Sequence, residues 1–184
     1  MTQASKQPHF NIVEADGRAE RLVAARKLMA EYVVWIGSDL GVDLSFQNVD
    51  EELAALPGKY APPAGGLWLA AAADRSAMPD AIVIDEGEVA GVIALRPLAL
   101  ADEAHAGEVK RLWVRPAFRS RQLGQLLSAH LVENARAMGY RALYLDTIVR
   151  MKSAIRLYQS IGFKACAAYT ENPESDVVYM RLEL

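Results

Sequence analysis

Val114-Arg115-Pro116-Ala117-Phe118-Arg119-Ser120-Arg121-Gln122-Leu123-Gly124-Gln125-Leu126-Leu127 runs from the end of a strand, through a tight basic loop, into the first turn of a helix. A loop of this shape aims several backbone N–H groups at one point, next to the positive end of a helix dipole. That arrangement suits an anion, and a pyrophosphate above all. The loop is not a Walker loop, because no Gly-Lys-Ser/Thr follows. It is not a dinucleotide fingerprint either, because two of the three glycines are missing.

The strand before the loop is predicted over Glu108–Val114, where charged and apolar residues alternate. The helix after it is predicted over Leu123–Met138, with Leu123, Leu126, Leu127, Leu131, Ala135 and Met138 on one face and Gly139 beyond its end. Downstream, Ala142–Thr147 reads as a strand and Ser153–Ile161 as a helix stopped by Gly162. Phe163–Ala168 and Val177–Leu182 read as strands around an Asn172-Pro173 turn. Upstream, Phe10–Glu14 reads as a strand and Asp16–Ser38 as a helix, with Gly37 or Gly41 as its stop. A shorter helix is expected over Asn48–Leu56, followed by a loop over Lys59–Gly66. Leu67–Ala72 fits a strand, although its alanines suit a helix equally well. Asp74–Pro79 is expected to turn, and strands Ala81–Ile84 and Val89–Leu95 to bracket a hairpin turn at Asp85–Glu88. The order implies an α/β or α+β sheet with helices on both faces.

The chain has 184 residues, a formal net charge of −3 and 52% hydrophobic residues. One domain over 1–184 with a substantial core is expected. The acidic balance argues against nucleic acid as the main partner, and mildly favours a cationic acceptor. Against that background Lys110, Arg111, Arg115, Arg119 and Arg121 cluster within one stretch, which suggests a small anionic ligand. No apolar run is long enough to span a bilayer, and Met1–Pro8 lacks the apolar segment of a signal peptide. With one cysteine, Cys166, no internal disulfide forms, and a cytoplasmic location is expected. His9, His105 and His130 lack metal-ligand spacing, so no metal is expected.

The stretch Glu108–Phe163 resembles the acetyl-CoA-binding core of the GNAT-type (GCN5-related) N-acetyltransferases. That family follows a V-x-P-like turn with an R/Q-x-x-G-x-G/A loop and a long helix. Here the turn is Val114-Arg115-Pro116 and the loop runs from Arg119 to Gly124. A second family block, L-Y-x-x-x-G-F, is matched in full by Leu157-Tyr158-Gln159-Ser160-Ile161-Gly162-Phe163. The resemblance departs at Ser120 and Gln122, which stand where the family has glycines, and at Met151, where it often has asparagine. If Ser120 or Gln122 needs a left-handed backbone, the cost is about 1–2 kcal/mol.

The resemblance implies a mixed, mostly antiparallel sheet splayed between strands 4 and 5, with the gap between the strands ending at Val114 and Thr147. It implies acetyl-CoA as cosubstrate. Backbone of Leu112, Trp113 and Val114 would pair with the pantetheine arm, and the Val114 N–H would polarise the thioester carbonyl. The pyrophosphate would lie on Ser120, Arg121, Gln122, Leu123, Gly124 and Gln125, with charge added by Arg119 and Arg121. Tyr158 would hydrogen-bond and protonate the departing sulfur. A thiol pKa near ~8.5 makes the thiolate a tolerable leaving group, so the gain is modest, ~10²-fold. Glu108 would accept the amine proton, directly or through water; its other reading is a strand carboxylate paired with Lys110 or Arg111. The acceptor would be a small-molecule amine or a peptide amine, and a homodimer is a family expectation. A CoA-binding sensor of the same fold, without turnover, is the alternative. Tyr32, Trp35, Phe46 and Tyr60 fall in segments that usually form the acceptor side, or else pack in the core. Cys166, without a matched histidine, reads as a small core residue.

Overall fold

The computed structural model describes residues 9–73 and 89–184. The expected turn at 74–79, the strand at 81–84 and the hairpin turn at 85–88 lie outside the described residues. Strand β1 (His9–Glu14) leads into helix α1 (Ala19–Leu40), and the short helix α2 (Val49–Ala54) follows. Strands β2 (Gly66–Ala73), β3 (Val89–Leu98) and β4 (Ala106–Val114) come next. Helix α3 (Leu123–Ala137), strand β5 (Ala142–Ile148), helix α4 (Lys152–Ile161) and strands β6 (Lys164–Ala165) and β7 (Val177–Glu183) complete the chain.

The seven strands among the described residues join one sheet in the order β1-β2-β3-β4-β5-β7-β6. Every neighbouring pair is antiparallel except β4–β5. The central strands are buried on both faces, which explains their nearly unbroken apolar sequence. Leu67, Leu69, Val92 and Ala94 face α1. Their neighbours Trp68, Ala70, Ile93 and Leu95 face α3, α4 and β7. The alanines of β2 therefore lie in a strand between two packed layers, not in a helix. Helix α1 runs to Gly41, which takes the left-handed conformation that caps it (φ 63°). The strand expected over Phe163–Ala168 shortens to Lys164–Ala165. The Asn172-Pro173 turn is built by the Asn172 side chain, whose Oδ1 accepts from the Glu174 N–H at 3.1 Å.

Two irregularities shape the middle of the sheet. The β3–β4 register passes from Val92↔Trp113 to Ala94↔Lys110, so Arg111 and Leu112 together oppose one residue. This is a β-bulge, and Arg111 holds a left-handed backbone (φ 59°) where glycine is usual. The parallel pairing of β4 with β5 covers only Ala106↔Ala142 to Glu108↔Tyr144, whereas β5 stays paired to β7 through Ile148. Beyond Glu108, strands β4 and β5 part, and the splay opens where the resemblance implies it.

Candidate active site

The gap between β4 and β5 is the centre of the site. Arg115 N–H donates to Ala90 O at 2.9 Å on the β3 side. Strand alternation therefore turns the Val114 N–H the other way, toward the gap. At one end of the gap lies the loop before α3. Ser120 (φ 64°) and Gln122 (φ 60°) both adopt the left-handed conformation that the family's glycines would take freely. Gln122 occupies the N-cap position of α3 without a side-chain cap, and the first helical bond runs from Leu126 N–H to Gln122 O. The amides of Leu123, Gly124 and Gln125 are thus the orphan donors of the helix start.

Aromatic rings brace this loop. The Arg119 guanidinium lies 4.9 Å from the Trp113 ring and 5.4 Å from the Trp35 ring. Its Nε donates to Val114 O at 3.2 Å. Arg121 lies over Phe118 at 5.6 Å. Leu112, Trp113, Val114, Arg119 and Gly124 share a groove with Trp35 and with Met151–Ala154 of the α4 start.

The basic cluster seen in the sequence does not form one patch. Arg115 binds Glu31 of α1 with two nitrogens, at 2.9 and 2.8 Å. Arg111 binds Glu52 of α2 with two, at 2.7 and 3.1 Å. Lys110 spans the gap to Asp146 of β5 at 2.9 Å and reaches Glu108 at 3.4 Å. Strand alternation and the bulge send these cations to different faces. Their acids sit far along the chain, so local sequence does not reveal them. Only Arg119 and Arg121 stay at the loop.

Tyr158 is 8% exposed and lines a cavity with Tyr32, Leu112, Lys110, Asp146 and Met151. Burial pushes its phenol up, and the nearby Tyr32 and Asp146 push the same way. Burial likewise pushes Tyr32 up to about 12. Both phenols keep their protons at neutral pH. Gly162 explains the glycine of the second block: at φ 109° it ends α4 and lets the Phe163 N–H bond Tyr158 O at 3.0 Å. Met151, at the N-cap of α4, carries no side-chain cap bond and turns its sulfur to Thr147 Oγ1 at 3.6 Å.

Glu108 is 1% exposed and closely held. Arg96 binds Oε2 through Nε at 2.6 Å and Nη2 at 2.5 Å, and Tyr169 Oη donates to Oε1 at 3.0 Å. It borders a polar cavity with Lys59, Arg96, Lys110 and Asp146. Sequence reasoning missed Asp146. Its signal was a carboxylate closing the apolar run Ala142–Leu145. Burial alone would raise its pKa, but Lys110 and the Asn172 amide, 2.8 Å away, hold it below the usual range. Of the four aromatics, Tyr32 and Phe46 line the Tyr158 cavity and Trp35 the loop groove. Tyr60 is buried and donates to Glu52 at 2.9 Å, so it belongs to the α2 ion-pair network. Cys166 is partly buried, and burial raises its thiol.

The profile of the acetyltransferase (GNAT) family matches residues 46–163. The chain belongs to this family. An uncharacterized N-acetyltransferase of Schizosaccharomyces pombe is 38% identical over 159 residues, 86% of each chain. An acetyltransferase from Streptococcus agalactiae shares the fold with a TM-score of 0.69 at 20% identity, over 95% of this chain and 98% of that one. A protein from Salmonella typhimurium, solved with its cofactor acetyl-CoA, shares it at 0.61 and 19% identity, over 95% of this chain and 94% of that one. This GNAT chain is thus an acyltransferase of the N-acetyltransferase type. No described helix is long and apolar enough to cross a membrane.

Proposed function

We propose that this protein transfers an acetyl group from acetyl-CoA to a primary amine by direct attack within the gap between β4 and β5. One observation carries the reading: the unpaired edge of β4 joins an amide-rich loop at one end to the Tyr158 cavity at the other. The pyrophosphate lies on the amides from Ser120 to Gln125, beside Arg119 and Arg121. The pantetheine arm pairs with Leu112, Trp113 and Val114 as an added strand. Ser120 and Gln122 already hold left-handed backbones, so the glycine departures leave the cradle's shape intact. This weakens the case for a silent CoA-binding sensor.

In the reaction the amine nitrogen bonds the thioester carbon, the Val114 N–H meets the developing oxyanion, and the C–S bond breaks. Tyr158 donates its O–H to the departing sulfur. A phenol raised by burial stays protonated, so its contribution is mainly that hydrogen bond, and the thiolate ends with the proton the amine releases. The carboxylate of Glu108 is engaged at both oxygens, which favours the water-relayed route for that proton over direct contact.

Acetyl-CoA at ~100 times its Kd should stabilise the protein by about 2.7 kcal/mol. Tyr158→Phe should keep that thermal shift and lose turnover by ~10²-fold. Absence of any shift with acetyl-CoA removes the reading. An unchanged rate in Tyr158→Phe returns the tyrosine to packing.

A further inference from the structure

The cavity holding Tyr158 and the polar cavity beside Glu108 share Phe46, Gln47, Lys110 and Asp146. They form one cleft, with an inner end at the gap and an outer end at Lys59 and Arg96. The cleft tells which amine it takes, given acetyl transfer as proposed above. We infer that the acceptor is a small zwitterionic amine: its ammonium sits on Asp146 and its acidic group, a carboxylate or a phosphonate, faces Arg96 and Lys59.

The ammonium needs a carboxylate with acceptor capacity left. Glu52 already receives Arg111, Lys59 and Tyr60. Glu108 already receives Arg96 twice, Lys110 and Tyr169. Asp146 receives one side-chain donor on each oxygen, Lys110 and Asn172. Its own backbone N–H also bonds the carboxylate, so of about four lone-pair sites one remains. Asp146 alone among these three borders both halves of the cleft. Its charge also acts on both cavity phenols, Tyr158 and Tyr32, which places it beside the proposed reaction centre.

The outer end is lined by both signs, Lys59, Arg96 and Lys110 against Glu108, Asp146 and Glu171, and leaves one cationic edge free. Arg96 is 32% exposed along its side chain and uses Nε and Nη2 on Glu108, so its Nη1 edge has no hydrogen bond among the described residues. Lys59, 35% exposed and paired with Glu52 at 2.5 Å, lines the same cavity. Over the whole cleft four cations, Lys59, Arg96, Lys110 and Arg111, face four acids, Glu108, Asp146, Glu171 and Glu174, so the lining is balanced in charge, as a zwitterion is. A plain alkylamine leaves the free Nη1 edge of Arg96 without a counterpart. A zwitterion meets both ends, and the order of charge turns its amine toward Tyr158. The net charge of −3 points the other way, but a cleft is read by the groups that line it.

The test is thiol release from acetyl-CoA with matched acceptors: the common amino acids and aminoalkylphosphonates, the amino-acid amides, simple alkylamines and spermidine. Acid-bearing amines should exceed their amides in kcat/KM by about tenfold or more, the effect of one charge-assisted hydrogen bond. Arg96→Gln should bring that ratio close to one, and Arg96→Lys should restore part of it. A general folding defect would lower both substrates alike and keep the ratio. Asp146→Asn should raise KM for every amine by about tenfold or more while the thermal shift with acetyl-CoA is kept. Preference for spermidine or amides, or an unchanged ratio in Arg96→Gln, overturns the inference and leaves acetyl transfer standing. No thermal shift and no thiol release with any amine overturn both.

Discussion

Glu52→Gln probes how the bulge in β4 is held. Arg111 is 6% exposed and carries a left-handed backbone that costs about 1–2 kcal/mol in a non-glycine residue. Glu52 fixes its guanidinium through two hydrogen bonds and also receives Lys59 at 2.5 Å and Tyr60 at 2.9 Å. Glutamine keeps the shape but removes the charge and turns N–H groups toward cations. An unpaired buried arginine should cost about 3–5 kcal/mol. Acid provides an independent measure. Burial would raise the Glu52 carboxyl, yet Arg111, then Lys59, carry it from an ordinary 4.5 down to about 2. Its folded value is below its unfolded one, so its stabilisation is complete above pH ~4.5 and is lost as pH falls toward ~2. The difference amounts to about 3 kcal/mol. Urea unfolding at pH 7, and again between pH 5 and 3, should show wild type losing about 2 kcal/mol of this increment while Glu52→Gln does not. A cycle with Arg111→Gln should give strongly non-additive losses. A cost under about 1 kcal/mol, or additive single losses, would refute the view that this pair holds the bulge.

Two further substitutions test the neighbouring backbone. Gln122→Gly should relieve left-handed strain of about 1–2 kcal/mol and lose about 0.4–1 kcal/mol to the freer unfolded chain. The net gain should raise Tm by about 1–4 °C, and a lower Tm would contradict the strain assigned there. In Gly91→Ala the added methyl would meet Trp113 O at 2.7 Å and Leu127 Cδ1 at 3.1 Å. Urea unfolding should show a loss of about 1–3 kcal/mol, and a neutral result would mean β3 and β4 can move apart.

The order of elements was legible in the sequence because each signal is local. Alternation marked β4, a heptad-like stripe marked α3, and Gly41 and Gly162 stopped their helices at left-handed positions. Two motif blocks sufficed to place the loop and Tyr158 on one gap. Less legible was every feature that depends on a distant partner. Five cations near Val114 looked like one anion patch, yet three are claimed by Glu31, Glu52 and Asp146. Glu108 read either as a base or as a partner of Lys110 or Arg111; Lys110 does reach it, but its closest partner is Arg96 across the β3–β4 ladder. Tyr60 read as a pocket or a core aromatic; it lies in the core, where its hydroxyl serves Glu52. The bulge was hidden because arginine at 111 gives no sign of a left-handed backbone.

The same distant pairs explain why the gap exists where it does. Parallel strands would continue to pair beyond Glu108↔Tyr144 unless something separated them. Immediately past that point the chain places Lys110, whose ammonium bridges Glu108 and Asp146, and then Arg111, whose side chain is drawn away to α2 by Glu52. One cation spans the strands through side chains instead of backbone. The next turns the backbone through a left-handed residue and ends the ladder. A salt bridge of this kind, buried at 10% and 8% side-chain exposure, adds little net stability over an apolar pair of similar size. Its value is geometric: it keeps the two strands at side-chain distance, so that β4 backbone beyond Glu108 stays open to a third, extended partner. Lys110 and Asp146 therefore hold the gap and border the acceptor cleft at once. Removing the Lys110 ammonium should alter the opening of the sheet and amine recognition together, whereas Asp146→Asn, which keeps an acceptor for Lys110, should alter amine recognition alone.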